Sequence, residues 1–283
     1  MIQGKAGALF RTVIMGAAAL AATVGAASAG TLDKLREQGY ATVAVANEPP
    51  YSDVKSDGYV SGAAPDVARA VMKMLGVPEL KAQIVPYGSM IPALQARRVD
   101  MATSGLYIKP KRCESIIYSE PDLCGAEAFA VAAGNPHKIM TYEDIGNNPE
   151  VTMTTCAGCA EEAYALERGV KPEQIKVFTD PPSGIKMLQQ GRVDVFALSG
   201  LGTQDLLRKT NDPNLELIMP VAGVPMGCAG AAFNPNDKDF RDAYDEALKK
   251  LKDSGEFAKI VEPYGFSPAA TLSVKRDDFC PGN

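Results

Sequence analysis

Histidine is almost missing from this sequence: His137 is the only one among 283 residues. A Ser-His-Asp triad needs a histidine beside its nucleophile, and a zinc site needs clustered ligands at set spacing. Neither pattern is present. Past the first 29 residues there is also no long apolar run, whereas a membrane-spanning helix needs about 20 such residues. Positive charge is scarce as well: 29 Lys and Arg face 34 Asp and Glu, a net charge of −5. A mildly acidic chain is not built to grip nucleic acid or anionic lipid. The N-terminal stretch has no twin arginine and no cysteine at its end, which excludes twin-arginine export and a lipid anchor.

That stretch reads as a secretory signal. Lys5 and Arg11 are the only charges before Asp33, and an apolar run follows from Thr12 to Ala27. The run ends in Ala27-Ser28-Ala29, the small-x-small pattern that a signal peptidase cuts after. Residues 1–29 are therefore expected to be removed, with export to the periplasm. The remaining chain carries 27 Lys and Arg against 34 Asp and Glu, a net charge of −7. Its length suits one large domain or two small lobes.

All six cysteines fall after the signal: Cys113, Cys124, Cys156, Cys159, Cys228 and Cys280. An even count in an exported chain points to disulfides, and six cysteines allow 15 connectivities. Local pairing is the expectation: 113–124, 156–159, and 228–280 tying down the tail.

Strand and helix signals alternate. A short helix is expected at Leu32–Gln38 and a strand at Tyr40–Ala46, stopped by Pro49 and Pro50. A helix from about Pro65 carries Val67, Val71, Met72 and Leu75 at helical spacing and closes at Gly76. A second strand leads into Tyr87. A helix follows over about Met90–Ala96, then a strand over Asp100–Ser104. This alternation predicts parallel sheets with helices on both faces, an α/β fold. At the other end, Asp237 is placed to cap a helix whose apolar face is Phe240, Ala243, Tyr244, Ala247, Leu248 and Leu251. It stops near Ser254-Gly255, and a shorter helix over about 256–262 follows.

The chain also repeats itself. Residues 89–100 match residues 183–194 at seven of twelve positions, without a gap and at a constant offset of 94. Each copy is a helix end followed by a strand that begins Val-Asp. Two related α/β lobes follow from this, and two copies are too few for a solenoid.

Several segments resemble those of the polar amino-acid type of extracellular solute-binding proteins of ABC importers (family 3). Glu48-Pro49-Pro50-Tyr51 is similar to that family's opening ligand loop, and residues 62–69 to its first-helix entry. Residues 105–112 resemble its third ligand loop, which ends in a ligand-binding Arg. Tyr118-Ser119-Glu120-Pro121 resembles the approach to its hinge, and residues 255–265 its closing signature. Within the family, Ala46–Tyr51, Ser61–Arg69, Lys109–Cys113 and Gly255–Phe266 most resemble ectoine/hydroxyectoine-binding proteins.

The resemblance implies a type II periplasmic binding protein, with two α/β sandwich lobes joined by two hinge strands and ligand between them. Lobe 1 would comprise residues 30–125 and 231–283, and lobe 2 residues 126–230. It also implies a monomer that hands a small zwitterionic solute to permease subunits, without a cofactor or metal. Arg112, at the end of the Gly105 loop, offers a planar fork for a carboxylate. Gly158, Cys159 and Ala160 precede a helical run from Glu161 to Arg168, where backbone N–H groups attract anions. Family members commonly carry a hydroxyl residue at this turn, and Ala160 has none. Tyr51, Tyr87 and Tyr107 fall on family ligand positions and would enclose a delocalised cation, each face contributing about 0.5–2 kcal/mol. Glu48 would be its charge partner. Ser199 stands nearest to where amino-acid binders of the family place an Asp for the α-ammonium. A primary ammonium is costly to bury without acceptors. The implied ligand is a compact carboxylate whose cation is not a simple primary amine, such as ectoine, hydroxyectoine or a betaine. Asp66, Asp100 and Asp194 read as helix and strand-end residues, and Met153 and Met187 as core. Lys109 and Lys111 read as surface neighbours of Arg112.

An enzyme is not expected. The alternatives are a polar amino-acid or betaine binding protein and, of another class, a cyclohexadienyl dehydratase-like enzyme with Glu48 as acid or base. A redox or metal role for the Cys156/Cys159 pair and a ligand-free adaptor are further readings.

Overall fold

A computed structural model describes residues 30–283, and the expected signal and its cleavage point lie outside these residues. The chain builds two five-stranded sheets, and it returns to the first after completing the second. The first has the strand order Glu79–Ile84, Tyr40–Val45, Met101–Ala102, Ala232–Phe233, Ile117–Tyr118. The second has the order Ile175–Phe178, Met153–Cys156, Val195–Ser199, Glu127–Ala132, Leu215–Ile218. In each, the first three strands are parallel, as the alternation of helix and strand predicts. The remaining strands are antiparallel to their neighbours, so the sheets are mixed rather than wholly parallel. The reason is connectivity. Ala232–Phe233 and Glu127–Ala132 each enter a sheet directly from the crossing between the halves, without the helical return that makes neighbours parallel.

The crossings are Leu123–Gly125 and Gly227–Ala229, which pair antiparallel with Cys124 opposite Cys228. A disulfide joins these two cysteines, and another joins Cys113 to Cys280. Both correct the expected 113–124 and 228–280 pairs. Nearness in sequence misleads here, because the ladder sets Cys228 across from Cys124. The tail meanwhile returns to the first half, where the Asn283 side chain bonds the Tyr118 N–H at 2.9 Å and the carbonyls of Cys113 and Ile116. The third pair, Cys156–Cys159, is as expected. On the chain-entropy account, bridges spanning 104 and 167 residues each stabilise the fold by about 5 kcal/mol, and the short one by about 2 kcal/mol.

The repeat in the sequence becomes a repeat in space. Helices Tyr87–Gln95 and Pro181–Gln189 start and end 94 residues apart. Each follows an edge strand of its sheet and leads into a central one. The two Val-Asp pairs have one job. Asp100 accepts from the Thr42 N–H at 2.7 Å and Asp194 from the Thr152 N–H at 2.8 Å, tying the central strand to its neighbour in each half. Asp66 is structural too, bonded to Tyr264 and paired with Arg69. Met153 is fully buried, and Met187 packs beside the second core.

Helix Ala63–Met74 lies against the first sheet and against helix Lys238–Asp253. The latter buries Phe240, Tyr244, Ala247, Leu248 and Leu251, with Phe240 and Tyr244 edge-on to Phe233. Each such large side chain contributes about 1.5–3 kcal/mol. Asp237 does not cap this helix through its side chain. Its carboxylate instead accepts from Thr31 and pairs with Arg97 at 3.0 Å, holding the first helix, Thr31–Gln38, against the first lobe. Two charged or hydroxyl donors outcompete a single backbone N–H. No helix among the described residues is long and apolar enough to cross a membrane.

Candidate functional site

The loops that leave the first sheet are pinned before they reach the cleft. The strand Tyr40–Val45 ends, and the Ala46 N–H donates to Ser104 Oγ at 2.7 Å. Ser52 and Ser104 share a hydroxyl contact at 2.8 Å, and the Ser52 N–H donates to the Glu48 carbonyl at 3.0 Å. This clamp fixes residues 46–52 and turns Glu48 into the interior. Tyr51 is buried edge-on to Phe266, with centroids 4.8 Å apart. Its ring lies against Gly105, where a Cβ would overlap it and where φ is +74°. Only glycine fits both demands.

Tyr107 faces Tyr51, hydroxyl to hydroxyl at 3.4 Å. Tyr87 opens helix Tyr87–Gln95 rather than ending a strand, and its hydroxyl donates to the Ser104 carbonyl at 2.8 Å. Arg112, on the single-turn helix Pro110–Cys113, is buried. It donates through Nη1 to the Tyr107 carbonyl at 2.8 Å and through Nη2 to the Gly158 carbonyl at 2.9 Å. The second bond crosses from one half of the molecule to the other.

The opposite wall is a turn and a helix start. Strand Met153–Cys156 ends in the disulfide-closed turn Cys156–Cys159, and helix Ala160–Glu167 begins at once. The turn touches the first half through backbone: the Gly88 N–H donates to the Ala157 carbonyl at 3.2 Å. Gly158 approaches so closely that a Cβ there would lie 2.5 Å from Gly88 Cα. Ser199 ends its strand and donates to Glu48, a further bond across the cleft. Lys109 lies 3.3 Å from the centroid of the Tyr164 ring, also across the cleft. The two halves are thus closed on each other.

Between them is a small cavity lined by Glu48, Tyr51, Tyr87, Gly105, Tyr107, Arg112, Cys159, Ala160, Glu161 and Ser199. Nine of these are residues that the sequence singled out. The tenth expected residue, Gly158, is not in the lining: its N–H donates to the Glu162 carboxylate at 2.6 Å and its carbonyl is held by Arg112. It latches the halves together instead. Glu161 is the lining residue that the sequence reading missed, and Glu127 lies beside it. Both are buried, and neither Glu127 oxygen has a hydrogen-bond partner. A glutamate in the first turn of a helix reads as an ordinary favourable helix end, so nothing in the sequence flagged Glu161. Glycines at 125 and 227 were a usable signal, since a Cβ at either would meet Tyr51 or Tyr107.

Burial dominates the electrostatics. It pushes the Glu48 carboxyl up to about 8, helped by the nearby Glu161, while the Ser199 and Tyr87 hydroxyls pull it part of the way back. Glu127 is held well above its ordinary range by burial and by Glu161, and Glu161 is raised by burial too. Burial lowers the Lys109 ammonium. The tyrosine phenols are all raised by burial and stay neutral at physiological pH. The cavity wall thus combines one guanidinium, Arg112, with the carboxyls of Glu48 and Glu161 and three tyrosine rings. Such a space suits a compact molecule carrying both signs of charge. Outside Glu48 and Tyr87 the cleft widens into a groove between Ile84 and Pro86 on one side and Phe178 and Pro181 on the other. Cys156, Cys159 and Glu161 bring possible metal donors within 4.8 Å of one another. The two sulfurs are bonded to each other, which leaves no thiolate to hold an ion.

Residues 41–267 match the family model of bacterial extracellular solute-binding proteins, family 3. A probable amino-acid ABC transporter periplasmic-binding protein of Sinorhizobium fredii is 34% identical, over 91% of this chain and 88% of its own length. The crystal structure of EhuB in complex with hydroxyectoine superposes with a TM-score of 0.87 at 52% identity, covering 89% of this chain and 98% of that one. An ancestral amino acid-binding protein, a precursor of cyclohexadienyl dehydratase, superposes with a TM-score of 0.72 at 25% identity, covering 83% of this chain and 99% of its own. Type II two-lobed architecture is common to these structures, and the chain belongs to the bacterial extracellular solute-binding proteins, family 3.

Proposed function

We propose that this chain is the periplasmic solute-binding component of an ABC importer, and that its solute is ectoine or hydroxyectoine. The observation that carries the reading is the small cavity whose wall combines Arg112 with Glu48, Tyr51, Tyr87 and Tyr107. A compact ring bearing a carboxylate and a delocalised cation matches that set of groups. Its carboxylate takes the free face of the Arg112 guanidinium, and its cation lies among the tyrosines beside Glu48. Likeness to a hydroxyectoine complex at 52% identity supports this. So does Ser199, whose hydroxyl is committed to Glu48 and which brings no second carboxylate for a primary ammonium.

In this reading the lobes are residues 30–125 with 231–283, and residues 126–230. The solute binds the first lobe, the second closes over it, and contacts to both hold the closed state. Permease subunits then meet a closed monomer. Calorimetric titration of the ligand-stripped protein with ectoine, hydroxyectoine, glycine betaine, glutamine and arginine tests the assignment. Micromolar or tighter binding confined to the ectoines is the expected result. Tight binding of glutamine or arginine instead makes the chain an amino-acid importer component and overturns the ligand.

A second reading rests on Glu48, whose carboxyl is raised to about 8 in the empty site. A general acid at neutral pH needs such a value, and the dehydratase precursor shares the fold. Turnover of prephenate or arogenate would favour it over solute capture.

A further inference from the structure

The three disulfides do different work. Two span 167 and 104 residues and lie in the first half and at the crossing. The third joins Cys156 to Cys159, three positions apart, and its second sulfur belongs to a residue in the cavity wall. A bridge that closes so short a loop adds little to the stability of the whole chain. Yet the two residues it encloses, Ala157 and Gly158, are the ones whose carbonyls accept from Gly88 and Arg112 across the cleft. The fit there has no slack, because Gly158 and Gly88 approach too closely for even a methyl group.

We propose that the Cys156–Cys159 disulfide is a positioning element of the solute site, which makes affinity depend on the redox state of this one bridge. The inference rests on the reading of the cavity as the solute site. While the bond is intact, it locks the turn so that both carbonyls meet the first lobe as the halves close. Reduction by a dithiol breaks the S–S bond. Two electrons and two protons pass to the sulfurs, giving two thiols, and the dithiol becomes a cyclic disulfide. The two sulfurs must then move apart to non-bonded distance. That displaces the turn, and with it the Arg112 and Gly88 latches and the start of helix Ala160–Glu167. Cys156 is half-buried next to an exposed turn, within reach of a small reductant, whereas Cys124 and Cys228 are buried.

The test compares the oxidised protein, the protein reduced by dithiothreitol with each bridge checked by mass mapping, and a C156S/C159S variant. Hydroxyectoine is titrated into each, and hydrogen exchange is followed in the ligand-free proteins. Expected is at least a tenfold loss of affinity through faster dissociation, with only a modest fall in the unliganded melting temperature. Exchange across residues 156–160 should speed up while the rest of the chain stays as it was. Equal affinity and equal exchange in all three would overturn the proposal. So would a weaker affinity accompanied by faster exchange throughout, since that marks a merely structural bridge. If even the oxidised protein ignores hydroxyectoine, the ligand assignment fails, and the exchange comparison still decides the role of the disulfide.

Discussion

The two walls of the cavity are made of different material. The first lobe contributes large side chains whose places are set by packing within that lobe: Tyr51 on Phe266 and Gly105, Tyr107 on Gly227, Arg112 on the Tyr107 carbonyl. The second lobe contributes mostly small groups, namely Cys159 at the end of the turn, Ala160, Ser199, and the single large side chain Glu161. A wall of packed aromatic rings is ready before ligand arrives. A wall of backbone hydrogen bonds exists only once the halves meet. The difference supports the proposed order of events, in which the first lobe selects the solute and the second seals it in.

The hardest blow to this comparison is Arg112→Ala. Arg112 belongs to the selecting wall and also donates to Gly158 on the sealing wall. Truncating a buried charged partner of this kind costs about 2–5 kcal/mol. Calorimetry should therefore show affinity falling at least 30-fold, with the fold intact by circular dichroism.

Glu48 comes next, through pH. With the lobes apart and water present, its carboxyl returns to the ordinary glutamate range, about 4.3. Burial on closure raises it to about 8. Without solute, the closed form therefore binds more protons than the open form between these values, and it gains population as pH falls from 8. The limit is tenfold per pH unit. A spin-label pair at the exposed positions Ile84 and Thr179, one on each side of the cleft mouth, should report a shorter mean distance in ligand-free protein at pH 5 than at pH 8. Glu48→Gln, which cannot ionise, should shorten it at both. A distance that ignores pH in the wild type would detach Glu48 from closure.

Tyr87→Ala removes one aromatic face from the selecting wall. The expected loss is about 0.5–2 kcal/mol, or roughly 2- to 30-fold in affinity, and unchanged binding would remove the tyrosines from the account. The smallest effect is expected from Tyr51→Phe. It keeps the ring and deletes only a long 3.4 Å hydroxyl contact with Tyr107. Affinity should change less than threefold, and a larger loss would mean that the hydroxyl itself touches the solute.

The same division explains what could be read in the sequence. The selecting wall was legible, because Glu48, Tyr51, Gly105, Tyr107 and Arg112 lie in segments that resemble the family's ligand loops. The repeat at offset 94 gave the equivalence of helices Tyr87–Gln95 and Pro181–Gln189 directly. The sealing wall was harder. Glu161 looks like any acidic residue in a helix's first turn, and Glu127 like any residue at a strand start. The latch role of Gly158 depends on a carbonyl, which no side-chain pattern records. Two of the three disulfides were misassigned for a related reason. The Cys124–Cys228 pair exists only because two crossings 104 residues apart lie side by side, and that is a fact of topology.

Closure around a compact zwitterion is the central claim, and small-angle scattering of the ligand-stripped protein at pH 8 addresses it most directly. Saturating hydroxyectoine should reduce the radius of gyration of the wild type and leave that of Arg112→Ala unchanged. A wild type whose scattering is the same with and without hydroxyectoine, at concentrations where calorimetry shows the solute bound, would contradict the account.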